Sequence, residues 1–228
     1  MTTKPPPALP PGQRELDIFP RFGLSQFASR FPSHHEISIS IGGDTDQTPT
    51  IDSSDLVTLE RVELTSDFHC VTTWTKRNLV WGGFRFEDFY QQFVHPAGPK
   101  EGADCCVFRC QDGYRSSLLL KDLLKPDVLL ADQLDGEPLD IAHGSPIRLV
   151  APAHYGFKNP KHLASIEFWT DSRAFKPASP RFMDHPRARV AYEERGQLPG
   201  LLLRYLYRPP VKQTIGQFQT ALDSYTQS

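Results

Sequence analysis

The sequence predicts an α+β fold of mixed short sheets, short helices and long loops. Twenty-one prolines against fifteen glycines are scattered along 228 residues, a pattern that breaks long helices and central strands. Strand-like alternation is confined to short runs, as at Ile37, Ile39 and Ile41. A sustained helical stripe occurs near the C-terminus, where Val211, Ile215, Phe218, Leu222 and Tyr225 follow 4,3,4,3 steps.

Taken in chain order, residues 1–20 are expected as a flexible arm, with polyproline-like character over 1–13. Residues 36–41 alternate as a half-buried strand stopped by Gly42 and Gly43. Ser53 and Ser54 can cap a short helix through Leu59. A strand then runs from Arg61 towards Phe68. If residues 103–109 form a strand, Cys105 and Cys106 point to opposite faces. Residues 118–124 read as a short helix ended near Pro126. Residues 128–139 read as a hairpin turning at Asp135-Gly136. Short strands are expected at 147–150 and 166–169. No linker divides the body, so residues 21–210 form one domain, followed by an amphipathic helix over 211–228.

At 39% hydrophobic residues the chain can bury one substantial core. Charged residues at 23% and a net charge of -2 argue against disorder and against a nucleic-acid surface. No run of about 18 apolar residues suggests a membrane span. Met1 to Gln13 has no apolar signal core, which points to the cytoplasm. Cys70, Cys105, Cys106 and Cys110 then read as thiols rather than disulfides.

Three segments carry candidate chemistry. In Asp67-Phe68-His69-Cys70-Val71-Thr72-Thr73-Trp74, a cysteine ends a strand beside a histidine. It is either a thiolate suited to a soft metal or a buried, inert thiol. In His143-Gly144-Ser145-Pro146-Ile147-Arg148-Leu149-Val150 and Tyr155-Gly156-Phe157-Lys158-Asn159-Pro160-Lys161, glycines and prolines surround His143, Arg148, Lys158 and Lys161. Such a set suits a phosphate or, alternatively, an ordinary basic loop. Asp112-Gly113-Tyr114-Arg115 is a turn entering a further element. The standard nucleotide loops are absent.

In this order, and with Trp81-Gly82-Gly83 and Asp135-Gly136-Glu137-Pro138-Leu139 between them, the segments resemble the molybdopterin-binding domain of the sulfite oxidase family over residues 36–170. The resemblance implies a sulfite oxidase-type fold and molybdopterin, the molybdenum cofactor, with Cys70 as the metal ligand. It implies that His143 and Arg148 hold the pterin and its phosphate. Lys161 with Phe157, Lys158 and Asn159 forms a second phosphate-holding segment. Tyr114 faces the metal, with Arg115 and Arg77 as candidates near the substrate. His69 and Thr72 flank the cysteine, and His34, with His35, lies near a segment that closes over the cofactor. Implied too are oxygen-atom transfer, a small anionic or S/N-oxide substrate, and a separate electron-transfer partner. Neither nucleic acid nor membrane is an expected partner, and a monomer or homodimer is expected. Sulfite oxidation leads, reduction of S- or N-oxides is the alternative, and a non-catalytic binding protein is the reading from another class. No CxxCH motif is present, and Cys105, Cys106 and Cys110 lack iron–sulfur spacing.

Overall fold

The computed structural model describes residues 8–227. The elements, in order, are β1 (Arg14–Glu15), β2 (Ser38–Gly43), β3 (Thr50–Asp52), α1 (Ser53–Leu56), β4 (Arg61–His69), β5 (Trp74–Arg85) and α2 (Phe86–Phe89). There follow β6 (Cys105–Cys110), β7 (Arg115–Leu119), α3 (Leu120–Leu123), β8 (Leu129–Leu134), β9 (Glu137–Pro138), β10 (Arg148–Val150) and β11 (Leu163–Trp169). Two helices, α4 (Gly200–Tyr207) and α5 (Val211–Thr226), close the chain. The fold is α+β, with two mixed sheets and short helices.

One sheet has the order β1-β5-β8-β10, with β4 paired to β5 and β9 to β8; the other runs β3-β2-β11-β6-β7. Alternation packs the sheets together. Phe84, Leu130 and Leu149 of the first sheet share a core with Ile39, Ile41, Phe108, Ile166 and Phe168 of the second. The neighbours Leu129 and Val150 point the other way and join Trp81 in a second cluster. The first sheet is therefore covered on both faces, as its continuous apolar stretches require.

Local chemistry explains most boundaries. The turn between β8 and β9 places Asp135 at φ 51° and Gly136 at φ 84°, the double positive-φ geometry of a tight hairpin. β2 runs on through both glycines, because Gly42 and Gly43 pair with Glu167 and Phe168 of β11. The cap of α1 is Asp52, which accepts from Ser54 and Asp55 in a capping box, and the helix stops at Leu56. Residues 118–124 are helical only over α3, because Leu118 and Leu119 pair with Cys106 and Cys105 across the sheet.

The expected arm needs correction where it is described. Arg14 and Glu15 pair with Trp74 and Thr75 of β5, Gln13 is buried, and the Phe19 ring meets Phe68, Trp74 and Trp81. Backbone pairing and aromatic burial hold this stretch down; residues 1–7 of the arm lie outside the described residues. The stripe of α5 docks on the chain's own body, with Phe218 stacked near Phe22 and Tyr225 stacked on Phe31 at 4.0 Å. Among the described residues, no helix is long and apolar enough to cross a membrane.

Candidate functional site

β4 and β5 are joined by a tight turn with Cys70 at its head. The Cys70 amide donates to the Trp74 carbonyl, and the Thr73 amide donates back to the Cys70 carbonyl. The turn requires Thr73 at φ 77°, a left-handed conformation that is unfavourable for a β-branched residue by roughly 1–3 kcal/mol. Remote groups hold it there. The Gln13 side chain donates to the Cys70 carbonyl at 3.1 Å and Arg195 to the Val71 carbonyl at 2.5 Å. The Arg14 amide donates to the Thr73 carbonyl at 3.0 Å, and Arg208 to the Thr73 hydroxyl at 3.3 Å. Both ends of the chain thus set the position of one thiol.

Cys70 borders a cavity of about 170 Å³. Phe19 to Leu24 and Phe27 form one wall, Cys70 to Thr72 with Trp74 a second, and Gly156, Phe157 and Asn159 to His162 a third; Asp112, Tyr114, Met183 and Phe218 complete it. Thr72 Oγ1 lies 3.1 Å from the Cys70 Sγ. Burial pushes the Cys70 thiol pKa up, while Thr72, Arg195 and Lys161 pull it down. Trp74 also lines the cavity, and its indole N–H is buried with no partner among the described residues.

Three cations gather at one end. Burial, with Arg148 and Arg21 nearby, lowers Lys161 to about 7. Burial lowers Arg148 to about 9 and also lowers Arg21. None of the three forms an ion pair among the described residues. Lys161 Nζ donates to the Ala142 carbonyl at 2.7 Å. Gly144, at φ 118°, lets the stems of Arg148 and Lys161 approach; a Cβ there would lie 3.1–3.2 Å from both. Asp112 in the lining and Asp140 offset part of this charge, but three desolvated cations outnumber them, which favours a further anion at this end.

Of the residues singled out in the sequence, Cys70, Thr72, Tyr114, Phe157, Asn159 and Lys161 line the cavity. The Tyr114 hydroxyl donates to the Phe157 carbonyl at 2.7 Å, and burial pushes its pKa up. Asn159 uses its amide locally, accepting from the Ala151 amide and donating to the His154 and Tyr155 carbonyls. Arg148 sits behind the lining, wholly buried, with its guanidinium on the His143 and Asn159 carbonyls and against Trp81.

The remaining expected residues lie outside the lining. His143 turns its ring to Asp140 and the Phe19 carbonyl and stacks on Phe19. His69 pairs with Thr75 at 2.8 Å. Lys158 is wholly buried on Asp184 at 2.9 Å. Arg115, the first residue of β7, lies outside the lining and donates to the Lys176 carbonyl. His34 and His35 are exposed, and the His34 amide donates to the Gln111 side chain. Arg77 pairs with Glu15 and Asp67.

Arg21, Phe22, Asp112 and His162 line the cavity without having been singled out as site residues. Phe19-Pro20-Arg21-Phe22-Gly23, aromatic and cationic at the edge of a proline-rich arm, was the available signal. His162 stands at φ 53° with its ring on the Ser145 carbonyl, and burial beside Lys161, Arg21 and Arg148 lowers it to about 4.

Comparison with known proteins supplies the wider context. The family described as oxidoreductase molybdopterin binding domain matches residues 28–175. The chain is 31% identical over 160 residues to YuiH of Bacillus subtilis, described as an uncharacterized oxidoreductase, covering 70% of this chain and 78% of that one. It is 29% identical over 147 residues to the protein-methionine-sulfoxide reductase catalytic subunit MsrP of Campylobacter jejuni, covering 57% and 48%. It is 33% identical over 102 residues to sulfite oxidase of Arabidopsis thaliana, covering 39% and 26%. The sulfane dehydrogenase SoxCD of Paracoccus pantotrophus shares the fold, with a TM-score of 0.54 and 20% identity over 67% of this chain and 43% of that one. The chain therefore spans most of YuiH but less than half of the other three.

Proposed function

Since the chain belongs to the oxidoreductase molybdopterin binding domain family, of the sulfite oxidase type, we propose that it catalyses oxygen-atom transfer with Cys70 as the metal's protein ligand. Molybdopterin is the family's cofactor. The residues of the cavity fit it. Its phosphate suits the three cations that lack ion pairs, and Gly144 leaves the space in which two of them converge. The unpartnered Trp74 N–H offers a donor to the same group. Carrying the proposal is one observation: a buried thiol shares one cavity with Lys161 and Arg21, which have no direct ion pair among the described residues and are backed by buried Arg148.

When bound, the cofactor supplies the two-electron change and the acceptance or release of the oxygen atom. The chain's residues do the rest. Gln13, Arg195 and Arg208 fix the Cys70 turn, so the backbone that carries the thiol is held in one conformation. Lys161, with Arg148 and Arg21 behind and beside it, would hold the phosphate. Phe157 and the Tyr114 ring exclude water, and the Tyr114 hydroxyl keeps its proton on the Phe157 carbonyl.

The lining favours a neutral organic S- or N-oxide over sulfite. It is dominated by Phe19, Phe22, Phe27, Phe68, Trp74 and Phe157. Arg21 spends its N–H groups on the Ala28 and Arg30 carbonyls, at 2.6 and 2.7 Å. With Lys161 and its neighbours engaged by the phosphate, a hydrated dianion meeting the aromatic part of the wall loses solvation that the rings do not replace, whereas an organic sulfoxide buries its carbon there. In that direction the substrate's S–O or N–O bond breaks, and two electrons and two protons convert its oxygen to water. The electrons come from a separate donor protein.

Metal analysis and pterin fluorescence on protein made in a molybdate-fed host test the cofactor reading, with the Cys70→Ser protein as control. About one molybdenum per chain is expected, and a metal-free, pterin-free wild type from that host overturns the reading. Turnover with a reduced dye and an organic sulfoxide, set against sulfite with an oxidised dye, tests the substrate; faster sulfite oxidation would reverse the order.

A further inference from the structure

Helix α4 is apolar nearly all round. Leu203 and Tyr207 face inward and are buried. On the outward arc Leu201, Leu202, Tyr205 and Leu206 are 50–64% exposed, and Leu198, just before the helix, is 42% exposed. A helix apolar on both sides is normally buried on both sides, and a contiguous patch of this kind on a surface marks a binding face. The helix cannot turn the arc inward. Arg204, on its flank, is bound to Glu193 at 2.7 Å, and Gly200 lies against the Glu193 backbone.

Charge indicates what covers the arc. Residues 181–212 hold seven Lys and Arg against three Asp and Glu, a balance of +4 in a chain of net charge -2. Arg181, Arg208 and Lys212 have no ion pair among the described residues, and Arg208 lies over the Tyr205 ring at 5.9 Å. Arg181 and Lys212 are exposed. Two copies of such a face would repel. The arc is four leucines to one tyrosine, whereas the energetic centres of protein interfaces are rich in Trp, Tyr and Arg and poor in Leu. Exposed leucines in a segment of net positive charge match a helix lying in the headgroup layer of a bilayer.

We propose that the outward face of α4 docks on an anionic lipid surface, inserting Leu198, Leu201, Leu202 and Leu206 while the exposed Arg181 and Lys212 meet the phosphates. This binding lies on the surface and spans nothing, so it is compatible with the lack of a membrane-crossing helix among the described residues. It also needs no cofactor. The face is nevertheless tied to the site. The Leu203 side chain packs at Gly196, next to Met183 of the cavity wall, and Arg195 reaches the Val71 carbonyl beside Cys70.

Flotation of the purified full chain with vesicles tests this. The chain should float with phosphatidylcholine vesicles holding about a third phosphatidylglycerol at low salt, and at least about tenfold less with phosphatidylcholine alone. Leu202→Ser with Leu206→Ser should leave the melting curve unchanged, since both side chains are exposed, and reduce flotation at least about tenfold. Arg181→Glu with Lys212→Glu should remove the preference for the anionic lipid. A wild type that stays unbound on the anionic vesicles overturns the proposal and turns attention to an acidic protein partner. Flotation by the leucine pair variant equal to wild type overturns it as well.

Discussion

Four cysteines of this chain are buried and reduced, yet two regions treat them oppositely. Cys70 heads a turn whose carbonyls are taken by Gln13, Arg195 and Arg14, and its sulfur borders a cavity with Thr72 at 3.1 Å. Cys105, Cys106 and Cys110 lie along β6, where regular pairing with β7 and β11 satisfies the backbone. Cys106 and Cys110 face the core with Phe108, and burial raises both thiols well above their ordinary pKa, Arg148 opposing it at Cys110 only in part. At Cys70 burial is opposed by Thr72, Arg195 and Lys161. Burial and a nearby cation are common to both regions, so what sets Cys70 apart is that it borders the cavity, which none of the strand cysteines does.

Replacing the sulfur is the harshest test of that contrast. Cys70→Ser should keep the fold, because serine is nearly isosteric, and reduce dye-coupled turnover to background. The hydroxyl is a far weaker donor than a thiolate at neutral pH. Wild-type turnover in the variant would make Cys70 no different from the strand cysteines.

Next in size is the cation cluster that shares Cys70's cavity. Arg148→Ala with Lys161→Ala removes charge-assisted bonds of roughly 1.5–3 kcal/mol each. Cofactor per folded chain should then be retained about a hundredfold less strongly if the effects add. A double variant that purifies fully loaded would separate the cluster from the cofactor.

Acid should strike the cavity region through His162. Its folded pKa is about 4 against an ordinary 6.5, so the unfolded chain binds the proton first. Its contribution is fully present above pH 6.5 and is lost as pH falls through 4. By pH 5 the loss is about 2 kcal/mol. His162→Asn, which tolerates the positive φ, should flatten that part of the pH–stability curve. An unchanged slope would mean that His162 is solvated.

The strand cysteines should give the smallest response. Cys105→Ala, Cys106→Ala and Cys110→Ala together should leave molybdenum content intact while costing on the order of 1 kcal/mol per fully buried site in packing. Loss of metal in that triple variant would erase the contrast between the regions.

Legibility in the sequence followed the range of the interaction. Asp135-Gly136 announced its hairpin because the turn is made by the two residues themselves. Leu118 looked helical but is a strand residue, since Cys106 across the sheet decides it. Likewise, Cys70 and Lys161 stood in segments whose order carried a family resemblance, and both line the cavity. Arg21 did not stand out, because its place depends on Phe31 and Phe218 packing around it from far along the chain. Arg115 drew attention through its neighbour Tyr114, but its guanidinium is taken by the Lys176 carbonyl, sixty-one positions along the chain, which the local motif does not reveal.

The supports of the Cys70 turn span nearly the whole chain: Gln13 binds from the N-terminal side and Arg195 from the C-terminal side, while Phe218 closes the cavity. During synthesis, then, a ribosome-bound chain still lacking residue 195 holds the thiol on a turn without its anchor, and one lacking residue 218 has a cavity open on one side. The socket is therefore complete only once residues as far as Phe218 are in place.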